Sequence, residues 1–168
     1  TYKTYPARQD AEEDGALLTH ATQCGACSSA QDLSVYMKET DLTAAGTKCT
    51  IKGILFGESV DCYMNLGFTE ACAKVWAFNS QHTTENCLGC GLPGTSPGPA
   101  PECKLNPCVQ CDAEKSGPTF NAYAGRTRRN SGIRSELVRS CSSIENIQQY
   151  TCSDMTLPDE METSLCAV

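Results

Sequence analysis

Thr69-Glu70-Ala71-Cys72-Ala73-Lys74-Val75-Trp76-Ala77-Phe78-Asn79 reads as the opening of a helix. Thr69 is a residue whose hydroxyl caps helix starts, and Glu70 puts a negative charge at the positive end of the helix dipole. Cys72, Val75, Trp76 and Asn79 recur at three- and four-residue spacing, so they share one stripe. A cysteine on that stripe, beside the only tryptophan of the chain, implies a helix held by packing and by a disulfide together. Trp76 is expected to fill the core against a neighbouring helix. The alternative is a surface anchor for a partner.

The rest of the chain repeats the theme. Its 168 residues include thirteen cysteines, at positions 24, 27, 49, 62, 72, 87, 90, 103, 108, 111, 141, 152 and 166. Thiols at that density suit an oxidising compartment, where each bridge contributes roughly 2–4 kcal/mol by restricting the unfolded chain. With one Trp and four Phe, the core is expected to be small and discontinuous, with about six bridges standing in for it. Thirteen is odd, so one cysteine is left over for another chain, another residue or a free thiol. The chain starts at Thr1 and not at Met, which leads to the expectation of a cleaved targeting segment. It has no Asn-x-Ser/Thr sequon, which favours a lumen without glycosylation over a glycosylated secreted protein. The longest apolar run, Ile51 to Phe56, is broken by Lys52 and Gly53, so no transmembrane segment is expected.

Outward from the central helix, residues 19–40 read as another, with Ala26, Ala30, Leu33 and Met37 on its inner face. Gly46, Gly53 and Gly57 mark the next stretch as loop or short extended pieces, pinned by Cys49 and Cys62. Residues 91–102 are rich in Pro and Gly and read as a surface loop between cysteine clusters. Residues 116–124 suggest a short helix, with Ser116 near its cap, Pro118 in its first turn and Gly125 as terminator. Ser131 is expected to cap a longer helix to about residue 148, with Ile133, Leu137, Cys141 and Ile144 on its apolar face. The fold expected is mainly α: a small, irregular, disulfide-rich domain over 19–152, with long loops and extended terminal arms. Residues 1–18 form the acidic N-terminal arm and 153–168 the acidic C-terminal tail.

Three Cys-x-x-Cys pairs carry the sharper chemistry. Cys87, Cys90, Cys108 and Cys111 match a four-cysteine zinc pattern in spacing. Against zinc stand Cys103 inside the loop and the cysteines outside the motif, so the expectation is no bound metal and no cofactor. Cys24 and Cys27, near a helix start, resemble the dithiol of a thiol–disulfide oxidoreductase. No βαβ pattern surrounds them, so the preferred reading is that both clamp the helix to other segments. His20 and His82 are the only histidines, and neither has a Ser or Cys partner in a recognised motif. Phosphate loops and His-Glu-x-x-His are absent from the sequence.

The net charge of −7 disfavours nucleic-acid binding. Five of the six arginines, Arg126, Arg128, Arg129, Arg134 and Arg139, nevertheless cluster before and along the last expected helix. They either pair with the protein's own acidic surface or form a docking patch for an acidic partner or lipid headgroups.

Three stretches carry a resemblance. They are His20-Ala-Thr-Gln-Cys-Gly-Ala-Cys-Ser-Ser29, Gly67 through Asn79, and Ser116-Gly-Pro-Thr-Phe120 with Ala124 through Ile133. Over most of residues 19–141 the chain resembles a group of uncharacterised, cysteine-rich secreted or luminal proteins of unicellular algae. That resemblance implies no catalytic residues. It brings in one narrower role, an extrinsic lumenal linker subunit of an algal photosystem–light-harvesting complex. The expected function is a non-catalytic structural or interaction subunit that docks on a membrane complex from the thylakoid lumen. A secreted carbohydrate- or protein-binding module, a Cys24/Cys27 oxidoreductase and a structural zinc protein are the alternatives.

Overall fold

The backbone path follows from where each helix finds its cap. A computed structural model describes residues 3, 5–16, 18, 25–39, 42–90, 106–128, 131 and 133. Seven helices lie in this part: α1 (Arg8–Glu13), α2 (Ala30–Lys38), α3 (Leu42–Phe56), α4 (Ser59–Asn65), α5 (Glu70–Asn86), α6 (Pro107–Lys115) and α7 (Gly117–Ala124). There is no strand among the described residues. The protein is mainly helical and rich in disulfides, as expected.

The cap read from Thr69 is present: its hydroxyl accepts the Cys72 N–H at 3.3 Å. Glu70 pairs with Lys74 one turn on at 2.7 Å, which lowers the Glu70 carboxyl below its ordinary range. The helix runs past Asn79 to Asn86, further than its apolar stripe predicts. Asn106 accepts the Val109 N–H at 2.8 Å to start α6, and Pro107 needs no donor partner in that first turn. Pro118 opens α7, and Gly125 closes it at φ 67°.

Three expectations are corrected. Ala26 lies in a turn, and α2 starts only at Ala30, because Ser29 caps it. The inner face of α2 is Asp32, Leu33, Val35 and Tyr36, while Met37 is exposed. Residues 46–56 are not loop but most of α3. Gly46 and Gly53 are there because the next helix comes close: a Cβ on Gly53 would stand 2.8 Å from the Ser59 Cβ. Only Gly57, at φ +72°, acts as a helix end. Within the stretch expected to be an extended arm, Arg8–Glu13 is a helix turn and a half long. Asp10 accepts the Ala7 N–H at 3.1 Å, and Arg8 reaches Glu12 at 2.7 Å.

The core is more continuous than the aromatic count suggests. Tyr36, Tyr63, Phe68 and Phe120 gather around Trp76, with ring centroids 4.6 to 6.3 Å from its own. The indole N–H donates to the Tyr36 hydroxyl at 3.2 Å, which satisfies the polar atom of a large, partly buried ring. Trp76 thus packs, half-buried, against the core, with α2 among its neighbours. Burial pushes the Tyr36 phenol up and the Tyr63 phenol up to about 12.

Among the described residues four disulfides tie these elements. Cys27–Cys72 joins the turn before α2 to α5, and Cys49–Cys62 joins α3 to α4. Cys87–Cys111 and Cys90–Cys108 join the end of α5 to α6. Residues 25–28 also hydrogen-bond along the end of α7, with Ala26 N–H to Tyr123 O at 2.8 Å and Cys27 N–H to Ala124 O at 2.9 Å. The bridges restrict the unfolded chain by about 3 kcal/mol each if independent. Four such bridges belong in an oxidising, non-cytosolic compartment. No described helix is long and apolar enough to cross a membrane. The loop expected at 91–102, all of the helix expected at 131–148 except Ser131 and Ile133, the tail at 153–168 and Cys24, Cys103, Cys141, Cys152 and Cys166 lie outside the described residues.

Candidate functional site

Two features stand out: a cleft against α5, and the exposed end of α3. The cleft follows from helix periodicity. Asn79 and Thr83 are one turn apart on α5, and Asp112 faces them from α6. Asn79 donates its amide N–H to Asp112 Oδ1 at 2.9 Å, and Thr83 donates its hydroxyl to the same oxygen at 2.6 Å. Ser116 lies 2.9 Å from the Thr83 hydroxyl and 3.0 Å from His82 Nδ1. With the Thr83 proton given to the carboxylate, Ser116 must donate to Thr83, and His82 Nδ1–H must donate to Ser116. The relay therefore runs one way, towards Asp112. Ser116 is 1% exposed, so its contact with His82 presents no accessible nucleophile.

Asn79 is 6% exposed, and its Oδ1 is buried with no partner among the described residues. The cleft above it has a volume of about 210 Å³ and is walled by Leu42, Trp76, Val109 and Phe120. Asn79 was legible as an inner-stripe residue. Thr83, Asp112, Ser116 and His82 were not, because the stripe ends at Asn79 and the helix does not. The signal available was the repeat of polar residues at four-residue spacing, Asn79 to Thr83 and Asp112 to Ser116.

The second feature is the tip of α3. Ile54, Leu55 and Phe56 are 62%, 64% and 68% exposed. Lys48 and Lys52 precede Phe56 at four-residue steps, on the same row of the helix. Both are exposed, and neither joins an ion pair among the described residues. A groove beside the tip is lined by Ile54, Val60, Ala77 and Phe78.

Of the arginines expected to form a docking patch, Arg126 and Arg128 fall within the described residues, and both turn partly inward. Arg126 Nε and Arg128 Nη2 are buried. The Arg128 guanidinium carbon stands 5.9 Å from the Tyr36 ring centroid. Arg129, Arg134 and Arg139 lie outside the described residues, as does His20.

Asp32, which sequence reasoning did not single out, is fully buried. It accepts the Thr69 N–H at 2.8 Å together with the hydroxyls of Thr69 and Ser29. One carboxylate thus ties the caps of α2 and α5.

The cysteine motifs resolve into staples. Cys27, fully buried, is bonded to Cys72, so a Cys24/Cys27 dithiol would require that bond to break. The four cysteines with zinc spacing are bonded in two pairs, and in that state none offers a thiolate. Among the described residues no group of three or more His, Cys, Asp or Glu side chains is placed to hold a metal ion.

No curated protein and no solved structure matches the chain. A family pattern does match, over residues 56–147, more than half of the chain. It takes in α4 to α7, both bridges at the end of α5 and the polar floor of the cleft. By that match the chain belongs to the family of unknown function DUF8771.

Proposed function

We propose that the protein is a non-catalytic interaction subunit that docks on a larger assembly through the tip of α3. The observation that carries this reading is the exposure of three consecutive large apolar residues, Ile54, Leu55 and Phe56. Contiguous apolar surface of this kind marks a binding face. The unpaired Lys48 and Lys52 beside it select a partner with an apolar socket and an acidic rim. The arginine cluster, with two of its members turned inward, is secondary in this reading.

The best specific assembly is an algal photosystem–light-harvesting complex, with this chain as an extrinsic linker subunit in the thylakoid lumen. Its support is the resemblance to algal luminal proteins, together with a disulfide framework suited to an oxidising lumen. The test is co-sedimentation of the native protein with detergent-solubilised photosynthetic membrane complexes from the cells that make it. The wild type is expected to travel with the complex. The Leu55→Ser/Phe56→Ser variant, changed only at exposed positions, is expected to bind at least about tenfold more weakly. A wild type left at the top of the gradient would remove the assembly. Equal binding by the variant would remove the docking face.

A further inference from the structure

The docking face leaves the cleft against α5 unexplained, and the cleft is built. A buried amide oxygen without a partner carries a desolvation cost of about 1–3 kcal/mol, so Asn79 Oδ1 is poised for a donor. Asp112 joins no ion pair among the described residues, and its Oδ2 accepts no hydrogen bond there. The His82–Ser116–Thr83 relay and the Asn79 amide both spend their donors on Oδ1, which fixes the carboxylate in place. Asn79 and Asp112 both line a cleft walled by Trp76 and Phe120, and between them they hold two oxygen acceptors, one of them charged. Arg128 reaches the rim, but its guanidinium carbon is over the Tyr36 ring.

We propose that this cleft binds a small organic amine, its ammonium group donating to Asn79 Oδ1 and Asp112 and its apolar body lying against Trp76 and Phe120. The chemistry follows from what is missing. Acceptors without donors call for a ligand with several N–H groups, and an unpaired carboxylate calls for positive charge. Aromatic walls favour a cation with an apolar body over a hydrated inorganic ion. The volume, about 210 Å³, is below the range of drug-sized pockets and limits the ligand to a small molecule.

Trp76 is the only tryptophan and lines the cleft, so its fluorescence reports occupancy directly. The oxidised full-length protein is titrated with 2-phenylethylamine and, separately, with 2-phenylethanol, which has the same body without the charge. A saturable change in emission is expected with the amine, with the alcohol at least about tenfold weaker. Asp112→Asn and Asn79→Leu are each expected to weaken the amine by about tenfold or more. No saturable response, as for a cleft that holds only water, would overturn the proposal. So would equal affinity for the alcohol, or unchanged affinity in a folded Asp112→Asn variant. If either variant fails to fold, the amine–alcohol comparison on the unsubstituted protein decides the matter alone.

Discussion

The two ends of α5 are stabilised in opposite ways. At its N-terminal half, Trp76 sits in a ring of four aromatics, and one disulfide, Cys27–Cys72, crosses a long stretch of chain. At its C-terminal half the inward residues are Asn79, Thr83 and the Asp112 relay, and two nested disulfides close the end. A packed apolar core needs few staples. A polar, hollow interior gains little from burial, so covalent bonds hold its walls apart and in register. The difference shows how the protein can keep an open cleft in so small a fold.

Breaking the packed half should have the largest effect. Trp76→Ala is expected to lose about 4 kcal/mol, from transfer and cavity terms together. Chemical denaturation checks this, and a loss below about 1 kcal/mol would mean that the bridges alone carry that half.

The staples sharpen the contrast. Replacing Cys27 and Cys72 by Ser opens a separation of 45 residues and is expected to lose about 3 kcal/mol. Replacing Cys90 and Cys108 is expected to lose only about 1 kcal/mol, because Cys87–Cys111 still closes the same loop. Thermal unfolding of the two double variants compares them. Equal losses would contradict the nested arrangement.

Alkaline pH should strike the packed half first. Burial raises the Tyr36 phenol and puts Tyr63 at about 12, against about 10 for an unfolded tyrosine. The folded state then holds protons that the unfolded state releases. This contribution to stability is whole below about pH 10 and is lost as the pH rises towards 12. Tyrosinate absorbance followed together with unfolding should show both phenols ionising late. Ionisation at the unfolded value in intact protein would show the ring to be open to water.

In the polar half, Thr83→Val keeps the shape but removes one donor to Asp112. It is expected to lose about 1 kcal/mol of stability, with the aromatic signals around Trp76 unchanged. A loss as large as that of Trp76→Ala would mean that the two halves are not separable.

Much of this division was legible in the sequence where local chemistry speaks for itself. Thr69, the stripe from Cys72 to Asn79, and the Pro118–Gly125 bracket each combine a cap or stop with spacing, and both helices form. Gly46 and Gly53 misled because glycine signals two things: freedom of the backbone, and absence of a side chain where another helix comes close. Only the partner helix α4 tells these apart. Met37 misled because Ala26 lies in the turn before the helix and Ala30 is exposed, so of the expected stripe only Leu33 stays on the inner face. The cleft could not be read, since Asp112, Thr83, Ser116 and His82 meet only after the two bridges bring α6 against α5. Sequence spacing admits zinc or disulfides at Cys87, Cys90, Cys108 and Cys111, and the choice between them sets the cleft.

That choice is the most direct test of the account. Native protein is alkylated without reductant, weighed intact, and digested for disulfide mapping by mass spectrometry. The account predicts that none of the eight bridged cysteines is alkylated. It also predicts fragments joining Cys27 to Cys72, Cys49 to Cys62, and the Cys87–Cys90 segment to the Cys108–Cys111 segment. Alkylation of Cys87, Cys90, Cys108 and Cys111, with zinc retained in the native mass, would contradict it.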